Sequence, residues 1–129
     1  MIMIVDDDAC MAETCSMLLD AHGFEVSVET SAASALSRLR NASHRLVITD
    51  NSMPGMSGCD LIDELKSHRA TVNIPILMIS ASARSDIPIS ARYDSFLRKP
   101  FLAEELLQEI HRLISNTRST VAPESYLKA

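Results

Sequence analysis

No apolar run in this chain of 129 residues is long enough to cross a bilayer. No charged start leads into a long apolar stretch and a small-residue cleavage site, so no secretion signal is expected. Cysteine is scarce and unpaired in pattern: Cys10, Cys15 and Cys59 make an odd count with no C-x-x-C spacing. That argues against a disulfide framework or a zinc site, and free buried thiols in a reducing cytoplasm fit better. Basic charge is short as well. Lys and Arg total 12 against 17 Asp and Glu, a net charge of −5, so neither nucleic acid nor a membrane is an expected partner of this domain. His22, His44, His68 and His111 are far apart, form no ligand pattern and are expected at the surface or at helix ends.

What is present is an ordinary globular mix, 47% hydrophobic and 22% charged, sized for one domain with a single core. Residues 1–5 form a short continuous apolar run and read as a buried strand. From residue 8 to about 21, Met11, Cys15, Leu18 and Leu19 recur at helical spacing, with Asp8 as an N-cap or first-turn acid and His22-Gly23 as the stop. Phe24, Val26 and Val28 alternate with polar residues as in a strand, and Ser31 caps a helix whose inner face is Ala32, Ala35, Leu36 and Leu39. A third strand covers residues 45–49, and a third helix residues 58–68 with Leu61, Ile62 and Leu65 inward. Residues 76–80 are a fully apolar strand, 95–98 a fifth strand, and 102 to about 116 an amphipathic helix through Leu106, Ile110 and Leu113. Residues 81–94 are the least legible, with a short helix around 85–92 interrupted by Pro88. Residues 1–116 are the expected domain. Residues 117–129, polar, aperiodic and containing Pro123, read as a tail or linker stub.

Near-continuous apolar strands alternating with amphipathic helices specify an α/β fold, a parallel sheet covered on both faces. In such sheets, functional groups collect beyond the carboxyl ends of the strands. Asp6, Asp7, Asp50, Ser80 and Lys99 all fall there. Three carboxylates brought together need a counter-charge, and Mg2+, a hard cation that takes oxygen ligands, is the natural one. Asp7 and Asp50 are candidate direct ligands, Asp6 a holder of metal-bound water, and the Ser52 backbone carbonyl a further oxygen. Lys99, restrained by Pro100, can pair with Asp50 and with a phosphoryl oxygen. The Ser80 hydroxyl can serve the same group.

These residues sit in four segments: Met3-Ile4-Val5-Asp6-Asp7-Asp8, Leu46-Val47-Ile48-Thr49-Asp50 with Met53-Pro54-Gly55-Met56-Ser57-Gly58, Ile76-Leu77-Met78-Ile79-Ser80-Ala81, and Phe96-Leu97-Arg98-Lys99-Pro100-Phe101. Together and in this order they resemble the receiver domain of two-component response regulators, over roughly residues 1–116. The resemblance implies a flavodoxin-like, doubly wound (βα)5 fold with strand order 2-1-3-4-5. It implies a phosphorylation switch in which Asp50 accepts a phosphoryl group from a phosphohistidine of a sensor histidine kinase or phosphotransfer protein. Asp6 and Asp7 would hold Mg2+, Lys99 would bind the phosphoryl group, and Ser80 and Phe96 would be the switch pair. Plain core packing is the alternative for Phe96.

Two departures stand out. The interval from Ser80 to Lys99 is about one helical turn shorter than the family pattern, and Arg92-Tyr93 replaces the usual Gly-Ala before the fifth strand. The fourth helix is therefore expected to be short or irregular. Partner contacts or homodimerisation through the fourth helix, fifth strand and fifth helix are expected to be altered. Two other functions compete: a receiver-like interaction domain that is never phosphorylated, and a Mg2+-dependent aspartyl phosphatase, since Asp6-Asp7-Asp8 formally contains a D-x-D motif. The chain is expected to be either a stand-alone receiver or a receiver from a longer regulator.

Overall fold

The computed structural model describes residues 1–128 except 84, 86 and 89, with side chains described through residue 115. Five strands, β1 (Ile2–Val5), β2 (Val26–Glu29), β3 (Leu46–Asp50), β4 (Ile76–Ser80) and β5 (Ser95–Arg98), form one sheet. Every pairing is parallel and the order is β2-β1-β3-β4-β5, the expected doubly wound arrangement. The helices are α1 (Ala9–Ala21), α2 (Ala32–Asn41), α3 (Gly58–Lys66) and α4 (Ala103–Lys128).

β1 is apolar throughout, β3 from Leu46 to Ile48 and β4 from Ile76 to Ile79, because both faces of these strands are covered. On β1, Ile2 and Ile4 join Leu19, Ile48, Leu77 and Ile110 in the layer beneath α1 and α4. Met3 and Val5 join Leu36, Val47, Leu61 and Met78 in the layer beneath α2 and α3. Side chains alternate across a strand, so a run without alternation in polarity has two cores to fill. Each fully buried Ile or Leu contributes roughly 1.5–3 kcal/mol from removal of its apolar surface from water.

The helix starts follow their caps. The Asp8 carboxylate accepts from Met11 N at 3.2 Å and opens α1, and the Ser31 hydroxyl accepts from Ser34 N at 3.2 Å and opens α2. The Ser57 hydroxyl takes Asp60 N while the Asp60 carboxylate takes Ser57 N, both at 3.1 Å, a reciprocal pair that opens α3. Gly23, with φ +88°, turns the chain out of α1.

Four findings modify the sequence expectations. Among the described residues, no α-helix lies between β4 and β5. The connection carries Ile87 into the core, makes a turn in which Ala91 N donates to Pro88 O at 3.0 Å, and re-enters the sheet at Asp94. Pro88 removes one backbone donor from the middle of this segment and opposes a helix through it. Asp94 ties this connection to the start of β4: its carboxylate accepts from Ile76 N at 2.7 Å and its own N–H donates to Ile76 O at 2.8 Å.

Second, α4 continues to Lys128, past the expected end near residue 116. No glycine stop occurs between Ser115 and Pro123. Third, Cys15 is buried and Cys59 half-buried, but Cys10 is exposed, on the outer side of α1. Fourth, His44 is buried rather than superficial. Its Nδ1 lies 3.0 Å from Ala42 O and its Nε2 3.1 Å from the Ser27 hydroxyl. A carbonyl only accepts, so in the neutral ring Nδ1 carries the proton and Nε2 accepts from Ser27. His22, His68 and His111 are exposed as expected.

Candidate phosphoryl-transfer and metal site

At the carboxyl edge of the sheet, β1 runs into Asp6-Asp7, β3 ends on Asp50, β4 ends on Ser80, and β5 leads into Lys99. The parallel register aligns these ends. Val5 pairs with Thr49, Asp50 with Ile79 and Ser80 with Arg98. Lys99 N donates to Ser80 O at 2.8 Å, extending the β4–β5 ladder by one step. Four of the five expected polar side chains are thereby documented around one point: Asp6, Asp7, Asp50 and Lys99. Ser80 ends the neighbouring strand.

Asp6, Asp7 and Asp50 each offer a carboxylate oxygen, and these oxygens lie within 4.8 Å of one another. Asp6 is wholly buried, Asp50 is 5% exposed, and Asp7 faces solvent. Lys99 Nζ lies 3.0 Å from Asp6 Oδ2 and 3.5 Å from Asp50 Oδ1, bridging the two buried acids. The other oxygen of Asp6 accepts from Asp8 N at 3.0 Å, which holds that carboxylate in orientation.

Burial is the largest influence on the Asp50 carboxyl and pushes its pKa up. Lys99 pulls it down, and the negative charges of Asp6 and Asp7 push it up again, leaving a net rise. For Lys99, burial pulls the pKa down, but the hydrogen bonds and charges of Asp6 and Asp50 outweigh it and the ammonium is favoured. One ammonium, paired with Asp6 and Asp50, against the three carboxylates of the cluster leaves a net negative pocket whose carboxylates offer oxygen donors only. That donor set fits a hard divalent cation such as Mg2+.

The Ser80 side chain is completely buried, and its hydroxyl accepts from Ser82 N at 3.1 Å. Ser52 is exposed in the loop two residues beyond Asp50. Phe96, opposite Met78 in the register, is half-buried on the α3 side of the sheet. Its ring lies 5.8 Å from that of Tyr93 at an interplanar angle of 47°.

Two residues that carry the loop have no role in the sequence reading. Gly58 is the first residue of α3, and a Cβ built there would sit 2.4 Å from Asp50 O and 2.9 Å from Asn51 Cα. Asn51 accepts from Gly58 N on its carbonyl at 3.0 Å and from Cys59 N on its side-chain oxygen at 3.1 Å. A glycine directly after a capping serine was the available signal for the first. For Asn51 nothing in the linear sequence tells that its partners lie in the next helix.

The chain matches the response regulator receiver domain family over residues 2–111. It is 31% identical over 116 residues to the sensory transduction protein RegX3 of Mycobacterium tuberculosis, covering 88% of this chain and 50% of that protein. It is 32% identical over 112 residues to the DNA-binding response regulator MtrA of Mycobacterium leprae, covering 84% and 48% respectively. The chain thus spans about half the length of the curated relatives it matches. Among solved structures, the signal receiver domain of a signal transduction histidine kinase from Syntrophus aciditrophicus superimposes with a TM-score of 0.83 at 27% identity, covering 89% of both chains. A response regulator receiver domain protein from Clostridium thermocellum gives 0.84 at 28%, covering 93% of this chain and 98% of its own.

Proposed function

The chain belongs to the response regulator receiver family of two-component systems, and we propose that within it Asp50 is the phosphoacceptor of a phosphorylation switch. The observation that carries this reading is the buried Asp50 carboxylate, with Asp6 and Asp7 oxygens within 4.8 Å and the Lys99 ammonium 3.5 Å away. An acid held there at a cost in desolvation is explained by a reaction that uses it.

In the proposed step, an Oδ atom of Asp50 attacks the phosphorus of a phosphohistidine on a histidine kinase or phosphotransfer protein. The O–P bond forms as the P–N bond breaks, and the electron pair stays on the departing imidazole nitrogen. Such transfers depend on positioning and charge neutralisation more than on covalent help from the protein. Mg2+, held by Asp7, Asp50 and the Ser52 carbonyl with Asp6 on a bound water, would supply most of that neutralisation. Lys99 leaves its bridge between Asp6 and Asp50 to pair with the new phosphoryl oxygens. The Ser80 hydroxyl turns from Ser82 N to donate to the same group, and Phe96 repacks in the space that Ser80 vacates. Addition of charge at one point thus biases a two-state element. Slow attack of water on the acyl phosphate resets the switch.

The receiver region is residues 1–116, and residues 117–129 are a tail or connector. Receiver domains are signalling switches rather than classical enzymes, and this one acts on its own aspartate. With a net charge of −5 the chain is assigned no nucleic-acid contact. Among the described residues no helix is long and apolar enough to cross a membrane. The usual partner or dimer surface on the β4–β5 side is altered, because the described residues of that connection include no α-helix.

The test is incubation with Mg2+ and acetyl phosphate, followed by intact-mass measurement. One phosphoryl group is expected on the wild type and none on Asp50→Ala. No uptake, even with a phosphohistidine donor, would instead favour an interaction domain that is never phosphorylated. Sustained turnover of an external phosphate ester would favour the phosphatase reading.

A further inference from the structure

Asn51 makes three hydrogen bonds that join three elements. Its N–H donates to Ile79 O of β4 at 3.2 Å, its carbonyl accepts from Gly58 N at 3.0 Å, and its side-chain Oδ1 accepts from Cys59 N at 3.1 Å. A helix begins with four N–H groups that lack intrahelical partners. In α3 these are the N–H groups of Ser57, Gly58, Cys59 and Asp60: Asn51 takes those of Gly58 and Cys59, and Ser57 and Asp60 take each other's through their side chains. The helix is capped from two places, and one cap is the residue bonded to Asp50. Gly58 closes the remaining gap, since even a methyl group there would overlap Asp50 O. The first turn of α3 therefore rests on the Asp50–Asn51 backbone with no slack between them.

On the other side of Asp50, the described residues linking β4 to β5 include no α-helix. A displacement at the end of β3 thus meets, on the α3 side, a regular helix capped from two places. We propose that Asn51 is a positioning residue that couples the state of Asp50 to the first turn of α3, making the start of α3 the element that reports phosphorylation. This deepens the reading of Asp50 as phosphoacceptor and rests on it.

Amide resonances and hydrogen exchange of the full chain, with Mg2+ alone and with Mg2+ plus beryllofluoride as the phosphoryl mimic, test it. In the wild type, beryllofluoride is expected to move the Ser80 and Lys99 amides and also those of Gly58 and Cys59. In Asn51→Ala, Cys59 loses its acceptor and its exchange in the Mg2+ form speeds up about fivefold, the factor for one ordinary hydrogen bond. The beryllofluoride response at Gly58 and Cys59 should shrink by half or more while that at Ser80 and Lys99 persists. A purely structural role for Asn51 would weaken both responses together. Asn51→Asp retains the side-chain acceptor and is expected to keep the α3 response.

Equal α3 responses in wild type and Asn51→Ala overturn the proposal, as does loss of the response in Asn51→Asp. If Asn51→Ala fails to fold, the wild type still decides: a response at Ser80 and Lys99 with none at Gly58 and Cys59 overturns it. No response anywhere in the wild type refutes the phosphoacceptor reading of Asp50 instead, and the two failures are distinct.

Discussion

Replacing Gly58 by alanine sets two physical effects of opposite sign against each other. In a helix interior, alanine is favoured over glycine by about 1 kcal/mol, and less in the first turn. Against this stands a Cβ 2.4 Å from Asp50 O and 2.9 Å from Asn51 Cα, where real Cβ atoms essentially never come within 3.0 Å. Both obstructing atoms belong to the backbone of β3 and its loop, so no side chain can rotate away. The start of α3 must retreat by roughly half an ångström or more, stretching the bonds from Gly58 N and Cys59 N to Asn51. Overpacking of this kind costs about 1–3 kcal/mol. The net expectation is a loss of about 1–2 kcal/mol, or a fall in Tm of about 4–8 °C for a domain of this size. Urea titration followed by far-UV circular dichroism measures it. Gly55→Ala is the control: its φ of +77° makes alanine strained, but nothing lies within 4 Å of the added Cβ. Both variants should lose stability, yet only Gly58→Ala should also slow phosphorylation of Asp50 by acetyl phosphate. A Gly58→Ala protein as stable as the wild type, with an unchanged phosphorylation rate, would refute the close-contact argument.

Other perturbations have equally definite outcomes. Lys99→Met removes the ammonium that bridges Asp6 and Asp50. Without metal it should lose about 1–3 kcal/mol, discounted from the cost of breaking a fully buried pair because Lys99 is partly exposed. Mg2+ should restore much of that loss, and identical urea midpoints with and without Mg2+ would contradict this. Asp50→Asn removes a buried charge whose carboxyl is pushed above its ordinary pKa. The variant should be more stable than the wild type in chelator and should gain less from added Mg2+. A calorimetric Tm below the wild-type value in chelator would count against the electrostatic account. Burial, reinforced by the positive N-terminus and Arg38, lowers the His44 pKa despite the hydrogen bond to Ala42. The unfolded chain then takes up a proton near the ordinary value of 6.5 while the folded ring stays neutral to lower pH. This stability is fully present above about pH 6.5 and is lost as the pH falls through the window below it. Tm measured from pH 7.5 to 5 should decline less steeply in His44→Asn, and parallel slopes would exclude His44 as the source.

By itself, the sequence determined the strands, most helix boundaries and the identity of the acidic edge. All four positions of β1 and the run from Leu46 to Ile48 are apolar without alternation because two helical layers cover them, a constraint that operates residue by residue. Asp8 and Ser31 announce α1 and α2 because a cap is a bond within three residues. Asp6, Asp7, Asp50, Ser80 and Lys99 were legible as a set because each falls at the carboxyl end of an expected strand, and parallel strands deliver those ends to one edge. What only the tertiary structure decided depends on partners distant in the chain. His44 can be buried because the Ser27 hydroxyl, on β2, donates to its Nε2. Whether Lys99 would face Asp6 as well as Asp50 was set by β1 lying next to β3. The roles of Asn51 and Gly58 arise from the packing of a helix start against the strand end that holds Asp50. Local hydrogen bonds and hydrophobic periodicity are written along the chain. Close approach between elements is a property of their docking, and it exists only once the sheet and its helices have come together.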